Sequence, residues 1–151
     1  MQDAETARAL TALDRDLIEQ RVRGMYEARL KSAKDVTGLD FFSDQIVFEV
    51  VGNPRIHPFC GQRVGKAAML AALKSIRVEL EITKHVLHEI IIDGDRVAVR
   101  RTIHLRGRGT GRMYEVESLD RLRVQDGFIV EMEQFIDTEA LSLATTNAAA
   151  R

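Results

Sequence analysis

Leu10, Leu13, Leu17, Ile18, Val22, Met25 and Tyr26 recur at steps of three and four, while Asp14, Arg15, Arg21 and Arg23 lie largely off that stripe. The spacing predicts a long amphipathic helix with one buried face, failing near 34–38. A short turn with Leu39, Phe41 and Phe42 follows, and 45–51 is β-rich and reads as a first strand. The stretch GNPRIHPFCG holds both prolines of the chain and two of its glycines, so it reads as a loop. Over 65–77, Met69, Leu73 and Ile76 share one face of a second helix.

Beyond Val78 the period drops to two. Four strands are expected, roughly 79–92, 95–106, 112–125 and 127–137, with turns at Asp93-Gly94, from Gly107 to Gly111, and at Asp126-Gly127. Turns this short force antiparallel neighbours, so the second half is a meander. Helices first and a meander second predict an α+β domain, in which a curved, cone-like antiparallel sheet is closed by the N-terminal helices. The domain is drawn at 1–142. The small, polar residues 143–151 are expected to form a flexible tail.

The strand pattern also predicts an inward face. It carries Val97, Val99, Arg101, Ile103 and Leu105; then Tyr114, Val116, Ser118, Asp120, Leu122 and Val124; then Phe128, Val130, Met132, Gln134 and Ile136. In the strand 79–92 the more apolar register is Ile82, Val86, His88, Ile90 and Ile92. His88, Arg101, Tyr114, Ser118, Asp120 and Gln134 interrupt these rows with polar groups. An unpaired buried polar group costs about 1–3 kcal/mol, so several on one face imply a pocket or a hydrogen-bonded network. A hairpin centred near Gly109 sets Arg101 opposite 117–119, diagonal to Asp120 and within reach of an ion pair. The other face is charged except for Leu119 and Phe135, which suits a symmetric dimer.

Composition narrows the function classes. The chain has 151 residues, 45% hydrophobic and 30% charged, with a formal net charge of −1. That mixture suits one globular domain and gives no basic surface for nucleic acid or an anionic membrane. No segment is long and apolar enough to cross a bilayer. The opening MQDAETARAL lacks the cationic and apolar runs of a signal peptide, so a cytoplasmic location is expected. One cysteine, Cys60, excludes an intrachain disulfide. The histidines lack metal-ligand spacing: His85 and His88, three apart on a strand, point to opposite faces. No metal or other cofactor is expected. GQRVGK is not a phosphate loop, and GRGTG joins strand to strand and so is a turn.

The strings DQIVFEVVGNP, GQRVGK, IIIDGDRVAVRRTIHLRGRGTG and LDRLRVQDGFIVEMEQFIDTEAL resemble the SnoaL-like group of the nuclear transport factor 2 superfamily, which includes ketosteroid isomerase. The resemblance runs from about Asp14 to Leu141. It implies the cone-shaped fold, and it leaves the chemistry open, because this fold hosts isomerases, polyketide cyclases, dehydratases, epoxide hydrolases and binding modules.

Ketosteroid isomerase uses a tyrosine, a carboxylate base on the first strand and a protonated aspartic acid on a late strand. The resemblance implies Tyr26, Glu49 and Asp120 for these roles, the last with a one-residue gap. A carboxylate shuttling a proton while neutral donors hold the enolate oxygen is the logic of that enzyme, a worked example in general treatments of acid–base catalysis. Two features depart from it: the base is a glutamate, and Arg101 beside Asp120 favours an ion pair over a protonated donor. Limonene epoxide hydrolase, another relative, needs an Asp-Arg-Asp set. Arg101 matches its arginine, but Ile103 and Gln134 stand where the aspartates belong.

Two main functions are therefore expected. One is a cofactor-free isomerase or cyclase acting by proton transfer on an apolar carbonyl compound, with Glu49 as base and Tyr26, Asp120 or Arg101 at the oxyanion. The other is a non-catalytic module that binds a small hydrophobic ligand; a dimerisation domain is a further alternative. Arg101, His88, Tyr114, Ser118, Gln134 and His57 are the expected ligand-contacting residues, and whether Glu49 points into the pocket separates enzyme from binder.

Overall fold

The computed structural model describes the backbone of residues 2–30 and 38–145, and the side chains of 14–30 and 38–145. The elements run α1 (Gln2–Ala28), a 3-10 turn (Leu39–Phe41), β1 (Phe42–Val50), β2 (Gly61–Val64), α2 (Lys66–Glu79), β3 (Leu80–Asp93), β4 (Arg96–Gly107), β5 (Met113–Gln125), β6 (Phe128–Ile136) and α3 (Thr138–Thr145). The strands form one six-stranded sheet in the order β2-β1-β6-β5-β4-β3. From β6 to β3 every neighbour is antiparallel, as the short turns require. β1 joins β6 in parallel, so the sheet as a whole is mixed.

The α1 stripe is buried at Val22, Met25 and Tyr26, while Leu17 is exposed. The side chains of Leu10 and Leu13 lie outside the described residues. α1 ends at Ala28, ahead of the stop expected at 34–38, most of which also lies outside them. α2 buries Met69, Ala72 and Leu73 against the sheet. The C-terminal helix was not expected: α3 buries Leu141 and Ala144, so ordered chain extends past the boundary drawn at 142. Residues 146–151 of the expected tail lie outside the described residues. No helix among the described residues is long and apolar enough to cross a membrane.

The inward rows of β4 and β5 are as the alternation predicts, with Val97, Val99, Arg101, Ile103, Leu105, Val116, Ser118, Asp120, Leu122 and Val124 all buried. Register errors enter at bulges, where one extra residue inverts the phase. Between β5 and β6 the register shifts at Arg123/Val124. As a result Ile129 is buried, and Phe128 and Val130 are not the inward residues at the start of β6. The hairpin between them needs positive φ at both turn residues, and Asp126 (φ 52°) and Gly127 (φ 81°) supply it.

β3 slips twice against β4, at Ile82/Lys84 and again at Leu87/Glu89. Its inner face is therefore Ile82, His85, Leu87, Ile90 and Ile92. His88 and Val86 belong to the other phase, a correction to the expected row.

Candidate functional site

The centre of the cone is built on one carboxylate. Asp120 on β5 is fully buried, and its register partners are Val99 on β4 and Gln134 on β6. Arg101 pairs opposite Ser118, as the hairpin geometry requires. From there its Nε donates to Asp120 Oδ2 at 2.7 Å. The Tyr26 hydroxyl, brought down from α1, donates to the same oxygen at 2.5 Å. Ser118 Oγ donates to Oδ1 at 2.7 Å. The guanidinium carbon of Arg101 also sits 5.0 Å from the Tyr26 ring centroid. A buried ion pair survives desolvation only when its remaining valences are satisfied, and here three donors do so.

The surroundings tune these groups. Burial, and then the charge of Asp120, push the Tyr26 hydroxyl well above its ordinary value, so it remains a donor. Burial opposes the charge on Arg101, but Asp120 and Tyr26 more than offset it and hold the guanidinium above its usual value. Arg101 Nη1 donates to His85 Nδ1 at 2.8 Å. His85 is pushed down to about 2 by burial and by the arginines Arg101, Arg29 and Arg77. Its ring is therefore neutral, and since Nδ1 accepts from arginine, the proton sits on Nε2.

Beside this network opens a cleft with apolar walls. Phe59, Leu73, Ile76, Leu80, Ile103 and Val116 form much of the lining, and Arg29, Arg77, Arg101 and Gln134 supply its polar positions. The space between atoms is about 530 Å3 counted to the mouth. It is a slender cleft, not a roomy chamber. Among the described residues the Gln134 amide nitrogen and Arg29 Nε, both buried, have no hydrogen-bond partner, and neither does His85 Nε2 in the network behind.

The expected site residues therefore divide. Tyr26, Arg101, Ser118, Asp120 and Gln134 come together. Glu49 does not: Ile46, Phe48 and Val50 are the buried residues of β1, and Glu49 lies in the opposite phase, opposite Gln62 and Glu133. Glu133 contacts Arg121, and that pair belongs to the outer face of the sheet. The strand has apolar residues in both phases, and the bulky Phe48 took the interior. His88 is likewise outward and exposed, bonded to Thr102 Oγ1 at 2.6 Å, because β3 slips at this residue. Tyr114 is half-buried against the core at the start of β5 and is not among the residues that line the cleft. His57 is buried in the loop before β2, stacked on Phe59 and 2.9 Å from Ser142 Oγ, beside a separate hollow that includes Gly52, Asn53 and Thr138.

Two residues of the site were missed, His85 and Arg29. Arg29 lies three residues after Tyr26, on the continuation of the buried α1 stripe, and that spacing was the available signal. Among the described residues, no group of three His, Cys, Asp or Glu side chains could hold a metal ion.

Residues 22–132 match the model of the SnoaL-like domain. Solved structures share the fold. A proposed isomerase from Rhodopseudomonas palustris is 22% identical at a TM-score of 0.73, over 89% of this chain and 97% of that one. A protein of the nuclear transport factor 2-like fold from Burkholderia pseudomallei, of unknown function, is 20% identical at 0.74, over 87% and 98%. A proposed SnoaL-like polyketide cyclase from a Jannaschia species is 18% identical at 0.67, over 86% and 92%. No curated protein matches the chain.

Proposed function

The chain belongs to the family of SnoaL-like domains, and on that premise we propose that it binds a small, slender, mainly apolar molecule in the cleft between α2, α3 and the sheet. The observation that supports this reading is an apolar-walled cleft carrying the buried, unpartnered amide nitrogen of Gln134. An apolar wall draws in the body of a ligand, and a donor without a partner fixes its orientation. A carbonyl oxygen is the simplest group that answers such a donor. Structural relatives named as isomerases and cyclases are consistent with a pocket for small carbonyl compounds.

Binding is favoured over proton transfer because the carboxylate that was to serve as base, Glu49, lies on the outer face. A second reading keeps catalysis and gives Asp120 the role of base, since its carboxylate is the one held at the centre of the network. Against it, Asp120 is fully buried, already accepts three hydrogen bonds and is not among the cleft's lining residues.

Titration calorimetry with apolar ketones, lactones and acids tests the reading. Binding should be seen in the native protein and be lost in Val116→Phe, which fills the cleft. If no compound binds, or if the filled variant binds equally well, the reading falls. Turnover of a ketone that disappears in Asp120→Asn would favour the enzyme.

A further inference from the structure

The interior of the cone carries more positive than negative charge. Arg101 is matched by Asp120, but among the described residues Arg29 has no carboxylate of its own. Among the described residues no carboxylate forms an ion pair with Arg29, although the residue is buried and lines the cleft. His85 cannot serve as a counter-charge, and it does not add a second positive one. The other charge at the rim is Arg77, again positive, whose Nη2 donates to the carbonyl of Arg29 at 2.8 Å.

The hydrogen-bond count has the same sign. Among the described residues the buried side-chain atoms without a partner are Arg29 Nε, Gln134 Nε2 and His85 Nε2, and each of the three presents an N–H. Among the described residues the interior thus lacks acceptors and lacks one negative charge. Ordered water would answer the hydrogen bonds but leave the charge unbalanced.

From this deficit, and resting on the cleft being a ligand site, we infer that its ligand is an apolar monoanion whose charged oxygen, on a carboxylate or an equally acidic enol, lies against Arg29 and Gln134. The guanidinium is the natural partner for such an oxygen pair, since its planar N–H fork matches two oxygens at once. The apolar walls formed by Leu73, Ile76, Ile103 and Val116 then hold the hydrocarbon body. Burial, with Arg101 next, pushes the Arg29 guanidinium down to about 10, so it remains charged at neutral pH while lacking a partner. A neutral ketone would use the same amide but leave the arginine as it is.

The test compares hexanoate, 3-phenylpropanoate and cinnamate with their primary amides and methyl esters, by calorimetry and by thermal shift. The acids should bind at least tenfold more tightly than the matched neutral compounds. Arg29→Met should abolish that preference without lowering the melting temperature of the empty protein, because it removes an uncompensated buried charge. Arg29→Lys, which keeps the charge but not the fork, should retain part of the preference. If amides and esters bind as well as the acids, or if Arg29→Met keeps the preference, the monoanion assignment is overturned while the cleft remains a binding site. If nothing binds, the site itself is wrong and the assignment falls with it.

Discussion

Tyr26 and Asp120 stand 94 positions apart in the chain and 2.5 Å apart in space, joined by a hydrogen bond from phenol to carboxylate. This contact ties the first helix to the middle of the sheet. It also commits the tyrosine proton: a hydroxyl that donates to Asp120 is not free to donate to a substrate oxygen. The phenol and the guanidinium together brace a carboxylate, and of the three only Arg101 also lines the cleft beside them.

Arg101→Ala should destabilise the protein by about 3–5 kcal/mol, because it leaves Asp120 buried without its counter-charge. Tyr26→Phe removes one neutral donor to the same carboxylate and should cost less, about 1–3 kcal/mol. Denaturant unfolding of both variants measures this. A loss below about 1 kcal/mol for Arg101→Ala would mean that the pair contributes little to the fold.

Acid stability should depend on His85. Folded, it stays neutral down to about 2, held there by burial and by Arg101, Arg29 and Arg77 around it, with the Tyr26 ring 5.7 Å away. Unfolded, it takes up a proton below about 6.5. Between those values the unfolded state binds more protons, so this residue makes stability fall as pH falls, by at most about 1.4 kcal/mol per pH unit. Unfolding followed from pH 7 to pH 4 should show a shallower decline in His85→Phe than in the native protein. Parallel declines would contradict the depressed histidine.

Glu49→Gln should change stability by no more than about 0.5 kcal/mol and leave ligand affinity as it was, since the side chain sits on the outer face of β1. A loss of binding or of turnover in this variant would restore the first-strand carboxylate to the site.

We propose that the outer sheet face pairs two copies of the chain. Leu119 and Phe135 are direct cross-strand neighbours on β5 and β6, and both are about half exposed amid charged residues. Sedimentation should show a dimer at micromolar concentration, and Leu119→Arg should convert it to monomer. A native protein that sediments only as monomer would remove the interface.

The sequence showed the middle of this fold better than its margins. β4 and β5 are joined by a tight turn and keep strict alternation, so both the inward row and the Arg101–Asp120 contact followed from counting residues. β2 has four residues and follows a proline-rich loop, too short for a period to show. Its presence, and the parallel join of β1 to β6, depend on tertiary pairing that no local pattern encodes. Glu49 was misplaced because Val47 and Val50 made both phases of β1 look apolar. Arg29 was overlooked because a charge near a helix end is ordinarily solvated; here it is buried, and Arg77 of α2 donates to its carbonyl.

The two slips in β3 bend that strand without changing what it shows the interior. Thr83 and His88 have no register partner in β4, so each is the extra residue at which the alternation inverts. A strand that lost both would pair with β4 without a slip and would still turn Ile82, His85, Leu87 and Ile90 inward, over a length two residues shorter. The two extra residues thus serve the curvature of the wall, and its inner face is written by the residues between them.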